Sequence, residues 1–175
     1  ASERGFVVLA EKTASQIDVH KKYGGVVPEI AGRLHAESIL PVIEDVVAEF
    51  KIQNSKFEIP DVIAVTSGPG LITGLLIGVE VAKSLSYLWD IPLVSVNHIE
   101  GHIYSTQIQN TKYKIQNPIN FPALALVVSG GHTELILMKD YGDYEIIGKT
   151  RYDAAGECFD KVAKLLWLDY PGGPK

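Results

Sequence analysis

His98 and His102 stand four residues apart in the run Asn97-His98-Ile99-Glu100-Gly101-His102. On a helix that spacing puts both imidazoles on one face, about 6 Å apart, which suits two ligands of a single metal ion. For an isolated pair, two solvated or capping histidines are an equal alternative. Glu100 limits the chemistry. In the zinc-peptidase helix the glutamate directly follows the first histidine and acts as base on metal-bound water. Here it comes two residues on, about 200° around a helix from His98, which disfavours that mechanism.

Val127-Val128-Ser129-Gly130-Gly131-His132-Thr133 runs from an apolar stretch into two glycines flanked by hydroxyls. The bare backbone N–H groups of such a turn can hold phosphate or carboxylate oxygens without side-chain obstruction. A plain Gly-Gly hairpin is the simpler reading of Ser-Gly-Gly taken alone. Ser67-Gly68-Pro69-Gly70, ahead of a helix, invites the same anion reading with less weight, because a strand-to-helix loop needs glycines anyway. Further on, Asp153-Ala154-Ala155-Gly156-Glu157-Cys158-Phe159-Asp160-Lys161 opens a helix with acidic residues suited to capping and to the helix dipole. Asp160 can accept hydrogen bonds from a ribose or other hydroxyl. Cys158 reads as a small packing residue, since no cation near it in sequence would activate a thiolate.

These groups need elements to hold them. Phe6–Ala10 and Ala14–His20 read as strands, Tyr23-Gly24-Gly25 as a turn, and Pro28-Glu29 as a helix first turn followed by an apolar stripe through Phe50, with Pro41 a kink or break. Asp61–Thr66 is a strand, Leu71 to Trp89 a long helix, Leu93–Val96 a strand, and Asn97 opens a further helix. Strand alternating with helix predicts parallel pairing through crossovers. Residues 107–122, rich in Gln, Asn, Lys and Tyr with two prolines, read as a linker. Ala123–Ser129, Glu134–Lys139 and Tyr144–Lys149 then form an antiparallel meander, and Ala155 to Trp167 a helix.

The chain has 175 residues, 46% hydrophobic and 21% charged, a globular composition that excludes disorder, collagen and coiled coil. A net charge of −5 offers no chain-wide attraction to nucleic acid or an anionic membrane. A single cysteine excludes an internal disulfide and fits a reducing compartment, so cytoplasm is the default. Glu80 and Lys83 interrupt the best membrane-span candidate, Leu71 to Trp89, and the N-terminal stretch has no signal-peptide core. The only methionine is Met138, and both ends read as cut.

Read together, Tyr23-Gly24-Gly25-Val26-Val27-Pro28-Glu29, Ser67-Gly68-Pro69-Gly70-Leu71, Asn97 to His102, Ser129-Gly130-Gly131-His132-Thr133, Asp153 to Glu157 and Pro171-Gly172-Gly173-Pro174 resemble, in that order, the bacterial and organellar TsaD family. Ile-Glu-Gly between the histidines favours the bacterial branch. The resemblance implies an α/β, actin-like (ASKHA, ribonuclease H-like) two-lobed fold, here truncated: a first lobe over 1–110 lacking its first strand, a linker at 111–122, and the start of a second lobe at 123–175. It implies transfer of a threonylcarbamoyl group from threonylcarbamoyl-AMP to N6 of the adenosine beside the anticodon, in tRNAs reading codons that start with A. It also implies a divalent metal, iron first and zinc second, with a TsaB-like paralogue and a TsaE-like ATPase as partners.

Carried over residue by residue, His98 and His102 fall on metal ligands, Val127, Val128, Ser129, Gly130 and Gly131 on the substrate loop, and Asp160 and Gly173 on further substrate positions. His132 receives no role. The third metal ligand, an aspartate, has no counterpart here. Tyr152 replaces an acidic residue, Cys158 a small one, and Trp167 stands where glycine is common. A metal-dependent glycopeptidase and a non-catalytic scaffold paralogue are the alternatives; Glu100 argues against the first, and the histidine pair against the second.

Overall fold

The computed structural model describes residues 6–54, 59–109 and 119–174. Strand β1 (Phe6–Val7) is shorter than expected and pairs in parallel with β4 (Ile108–Gln109), not with an antiparallel neighbour. The second expected strand is a helix, α1 (Ile17–Lys21). Asp18 in its first turn and Lys21 in its last complement the helix dipole, and local electrostatics prevails over the weak apolar alternation. His20 is buried, and its Nδ1 accepts the Val27 N–H at 3.3 Å, tying α1 to the segment that enters α2. Lys21 Nζ reaches the Asp169 carboxylate at 2.9 Å.

Helix α2 (Pro28–Asn54) runs unbroken through Pro41. Pro41 and Glu37 are both exposed, so water can serve the carbonyl that the missing N–H leaves free. Strands β2 (Ile63–Gly68) and β3 (Leu93–Asn97) pair in parallel from Ile63↔Leu93 onward, with α3 (Ile72–Trp89) as the crossover. Close approach of α2 to α3 depends on Gly32, where a Cβ would come within 2.9 Å of the Thr73 Cβ. By length and composition α3 is apolar enough to cross a membrane, contrary to the sequence expectation. It packs against β2 and α2, with Ala82 buried, while Ile72, Leu76, Tyr87 and Leu88 stay exposed.

Helix α4 (His98–Ser105) follows β3 without a loop. The expected linker contributes β4 at its start, while 110–118 lie outside the described residues. The meander forms as expected: β5 (Ala123–Val128), β6 (Thr133–Asp140) and β7 (Asp143–Lys149) make an antiparallel sheet in that order. Alternation along β5 sends Val127 inward while Leu124, Leu126 and Val128 face out. Ile99 and Ile103 of α4 pack with Val127, Ile136 and Met138 to form the core. Tyr104 reinforces this seam through a hydroxyl hydrogen bond to Tyr144 and a stacking contact with Tyr141.

Helix α5 (Ala155–Leu165) ends two residues earlier than expected. Leu168 N–H bonds to the Ala163 carbonyl at 2.8 Å and Trp167 N–H to that of Lys164 at 3.3 Å, a Schellman closure. The closure puts Trp167 at φ 58°, the left-handed region that favours glycine.

Candidate functional site

Asn97 begins the site. It is the last residue of β3 and the N-cap of α4, its Oδ1 accepting the N–H groups of Ile99 at 2.8 Å and Glu100 at 3.3 Å. His98 is therefore fixed at the first helical position. Ile99 and Ile103, four apart, anchor one stripe of α4 in the core, and His98 and His102 form the neighbouring stripe. Their Nε2 atoms converge to 3.1 Å, with ring centroids 4.4 Å apart.

Two nitrogens on one metal at about 2.0–2.1 Å lie roughly 2.8–3.4 Å apart for bond angles between octahedral and tetrahedral, so the 3.1 Å separation is compatible with a shared ion. Burial, then the neighbouring His102 and His132, hold the His98 pKa below the ordinary histidine value, which favours the neutral form a metal requires. Among the described residues no group of three or more His, Cys, Asp or Glu side chains is placed to hold a metal. Glu100 shares the Tyr104 side of the helix, where its charge, after burial and the Tyr104 hydrogen bond, adds to the raising of the Tyr144 pKa.

The glycine turn closes on itself. Ser129 N–H donates to the His132 carbonyl at 2.8 Å, and His132 N–H donates to Ser129 Oγ at 2.9 Å. A Cβ on Gly130 or Gly131 would meet nothing within 4 Å, so the space beside both is open. His102, Val127, Val128 and Ser129 line a common cleft of about 430 Å³. His98 also borders a second cleft, of about 490 Å³, with His35, Pro69, Gly70 and Leu71. The imidazole pair thus stands between the two glycine-bearing loops singled out in the sequence.

Helix α5 starts against the turn. Thr133 Oγ1 accepts the Ala155 N–H at 2.8 Å, and the Ser129 carbonyl accepts the Gly156 N–H at 3.1 Å. Asp153 is not the expected cap: Ala154 occupies that position, and Asp153 pairs with Lys161 at 2.7 Å, as does Glu157 at 3.0 Å. Asp160 Oδ1 accepts the Gly172 N–H at 2.7 Å, while a Cβ on the adjoining Gly173 would meet nothing within 4 Å. Asp160 and Gly173 are not among the residues lining the His102 cleft; they connect to it through α5. Cys158 is exposed and free.

Sequence reasoning gave no role to three residues that organise this region. His132 brings its ring to 6.5 Å from that of His98. A Cβ on Gly156 would meet backbone of Ser129 and Gly130, and one on Gly172 backbone of Phe159 and the Ala163 Cβ, contacts that their local sequence does not signal.

Fold and side chains together define an α/β protein with two converging imidazoles beside a glycine-bearing turn. Comparison with known proteins gives the family. The sequence model of TsaD, tRNA N6-adenosine threonylcarbamoyltransferase, matches residues 7–175, and the chain belongs to that family. Similar proteins named tRNA N6-adenosine threonylcarbamoyltransferase include that of Bacillus thuringiensis (strain Al Hakam), 52% identical over 98% of this chain and 47% of the relative. That of Carboxydothermus hydrogenoformans is 51% identical over 98% and 48%, and that of Bacillus subtilis (strain 168) 52% identical over 99% and 47%. The chain spans about half the length of the curated relatives it matches.

Proposed function

We propose that this chain carries the paired-histidine and glycine-turn part of a tRNA N6-adenosine threonylcarbamoyltransferase. The observation that carries the reading is the meeting of His102 with Val127, Val128 and Ser129 in one cleft, within a chain that belongs to the TsaD family. In the transfer, the adenosine N6 attacks the carbamoyl carbon of threonylcarbamoyl-AMP. The bond from that carbon to the phosphate oxygen breaks, AMP departs, and the amine gives up a proton.

His98 and His102 would hold one divalent metal, iron in the first instance and zinc in the second. When bound, that ion supplies Lewis acidity toward a carbonyl oxygen. The open backbone over Gly130 and Gly131 suits the adenylate phosphate, Asp160 and Gly173 suit the nucleoside end, and Val127 and Val128 wall the cleft. Holding the donor in a fixed pose against the acceptor is the contribution these residues make themselves.

The proposal extends to an actin-like two-lobed architecture for the whole protein, to cytoplasmic location, and to a TsaB-like paralogue and a TsaE-like ATPase as partners. With a net charge of −5, tRNA affinity is assigned to a local Lys/Arg patch or to partner subunits, and the salt dependence of tRNA binding counts the phosphates contacted. The test is transfer by the intact protein with its partners, read as threonylcarbamoyladenosine in tRNA by nucleoside mass spectrometry. The wild type forms the product and a His98→Ala, His102→Ala variant does not. Undiminished product from that variant sinks the assignment of the pair.

A further inference from the structure

Five glycines of the glycine turn, α5 and the loop after it fall into two groups. Gly130, Gly131 and Gly173 face open space, so a methyl at any of them would meet nothing within 4 Å among the described residues. Gly156 and Gly172 are closed. A Cβ on Gly156 would lie 2.7 Å from the Ser129 carbonyl oxygen and 2.8 Å from both Cα and N of Gly130. One on Gly172 would lie 2.5 Å from the Phe159 carbonyl oxygen and 2.6 Å from the Ala163 Cβ. Most of these obstacles are backbone, which no rotamer change can move aside.

Each closed glycine docks a different loop on α5, and each contact has its own hydrogen bond. The Gly156 N–H donates to the Ser129 carbonyl at 3.1 Å, and the Gly172 N–H to Asp160 Oδ1 at 2.7 Å. Gly156 and Asp160 are four residues apart, about 6 Å along the helix axis. We infer that α5 is a spacer that fixes the Ser129–Gly131 turn relative to the Gly172-Gly173 loop, with Gly156, Gly172 and the Oδ1 side of Asp160 as positioning residues for adenylate binding.

The inference rests on the adenylate reading above and refines it. Asp160 divides its carboxylate: one oxygen holds the loop, the other remains for a ligand hydroxyl. The open glycines receive the ligand, and the closed ones set where it is received.

The test titrates AMP into the intact protein by calorimetry and follows melting temperature and bound metal in parallel. Gly172→Ala is expected to weaken AMP binding tenfold or more while the metal held by α4 stays at the wild-type level. Asp160→Ala weakens binding similarly, and Asp160→Asn, which keeps an oxygen for the Gly172 N–H, recovers most of that loss. Should Gly172→Ala fail to fold, the Asp160 pair decides. A folded Gly172→Ala that binds AMP as the wild type does, or an Asp160→Asn no better than Asp160→Ala, overturns the spacer. A wild type that binds no AMP overturns the adenylate reading beneath it, which separates the two failures.

Discussion

Helices α4 and α5 both carry candidate site residues, and they are held by opposite means. Helix α4 is fastened by side chains: Asn97 caps it, Ile99 and Ile103 sink into the core, and Tyr104 bonds Tyr144 across the sheet. Helix α5 is fastened by close backbone docking at Gly156 and Gly172, with Thr133 and Asp160 accepting backbone N–H groups, while Phe159, Val162, Leu165 and Leu166 remain exposed. A metal site needs imidazoles aimed to within tenths of an ångström, which packed side chains supply. A nucleotide site needs backbone N–H groups free of obstruction, which close backbone docking supplies. The packing of the two helices should therefore fail under opposite substitutions, α4 when Ile99 or Ile103 is cut back and α5 when a methyl is added at Gly156 or Gly172.

The largest expected effect is loss of metal. His98→Ala, His102→Ala should leave the intact protein with background metal by elemental analysis, whereas Gly172→Ala should keep its ion; an equal loss in both would erase the distinction between the helices. Next, Ile103→Ala should destabilise the fold by about 2–4 kcal/mol in urea unfolding. Leu165→Ala, at a position 79% exposed, should change it by less than about 0.5 kcal/mol. Comparable losses would show that α5 is packed by side chains after all. Removing the α4 cap with Asn97→Ala should cost about 1 kcal/mol in the same measurement.

One modest effect has the opposite sign. Trp167 is 95% exposed and sits at φ 58°, so Trp167→Gly should stabilise by roughly 0.5–1 kcal/mol by relieving the left-handed strain. A loss of stability would mean that the indole makes a contact outweighing the strain. The His98 shift gives a pH signature. Its folded-state pKa lies below the unfolded value of about 6.5, so the unfolded chain binds the proton more readily. Stability of the metal-free protein is then full above that value and declines as pH falls below it. His98→Ala should flatten that decline in pH-dependent thermal melts.

Legibility followed the reach of each interaction. The long helices, the parallel β2–β3 pair and the β5–β6–β7 meander could be read because apolar periodicity and turn residues are local signals. Ala14–His20 misled because Ile17 and Val19 alternate with polar residues as a strand would, while Asp18 and Lys21 satisfy a short helix equally well. Of the kink or break read at Pro41, the break does not occur, because a proline on an exposed helix face loses a bond that water can replace. The histidine pair was legible because its spacing is itself the geometry. The assignment of Asp153 as cap was not borne out, since Thr133, 22 residues upstream of Ala155, takes the Ala155 N–H. Gly156 and Gly172 stood in motif runs, but their docking role was not legible because their contacts, Ser129 and Phe159, are distant in sequence. Trp167 lies between: its departure from the family's glycine was visible, and the positive φ supplies the reason glycine is favoured there.

The central claim is that the two imidazoles of α4 bind one metal beside the glycine turn. X-ray absorption on the metal-loaded intact protein tests it most directly. The account predicts two imidazole nitrogens at about 2.0–2.2 Å from the ion, both lost together in the His98→Ala, His102→Ala variant. A spectrum without histidine scattering, or one unchanged by that double substitution, would contradict it.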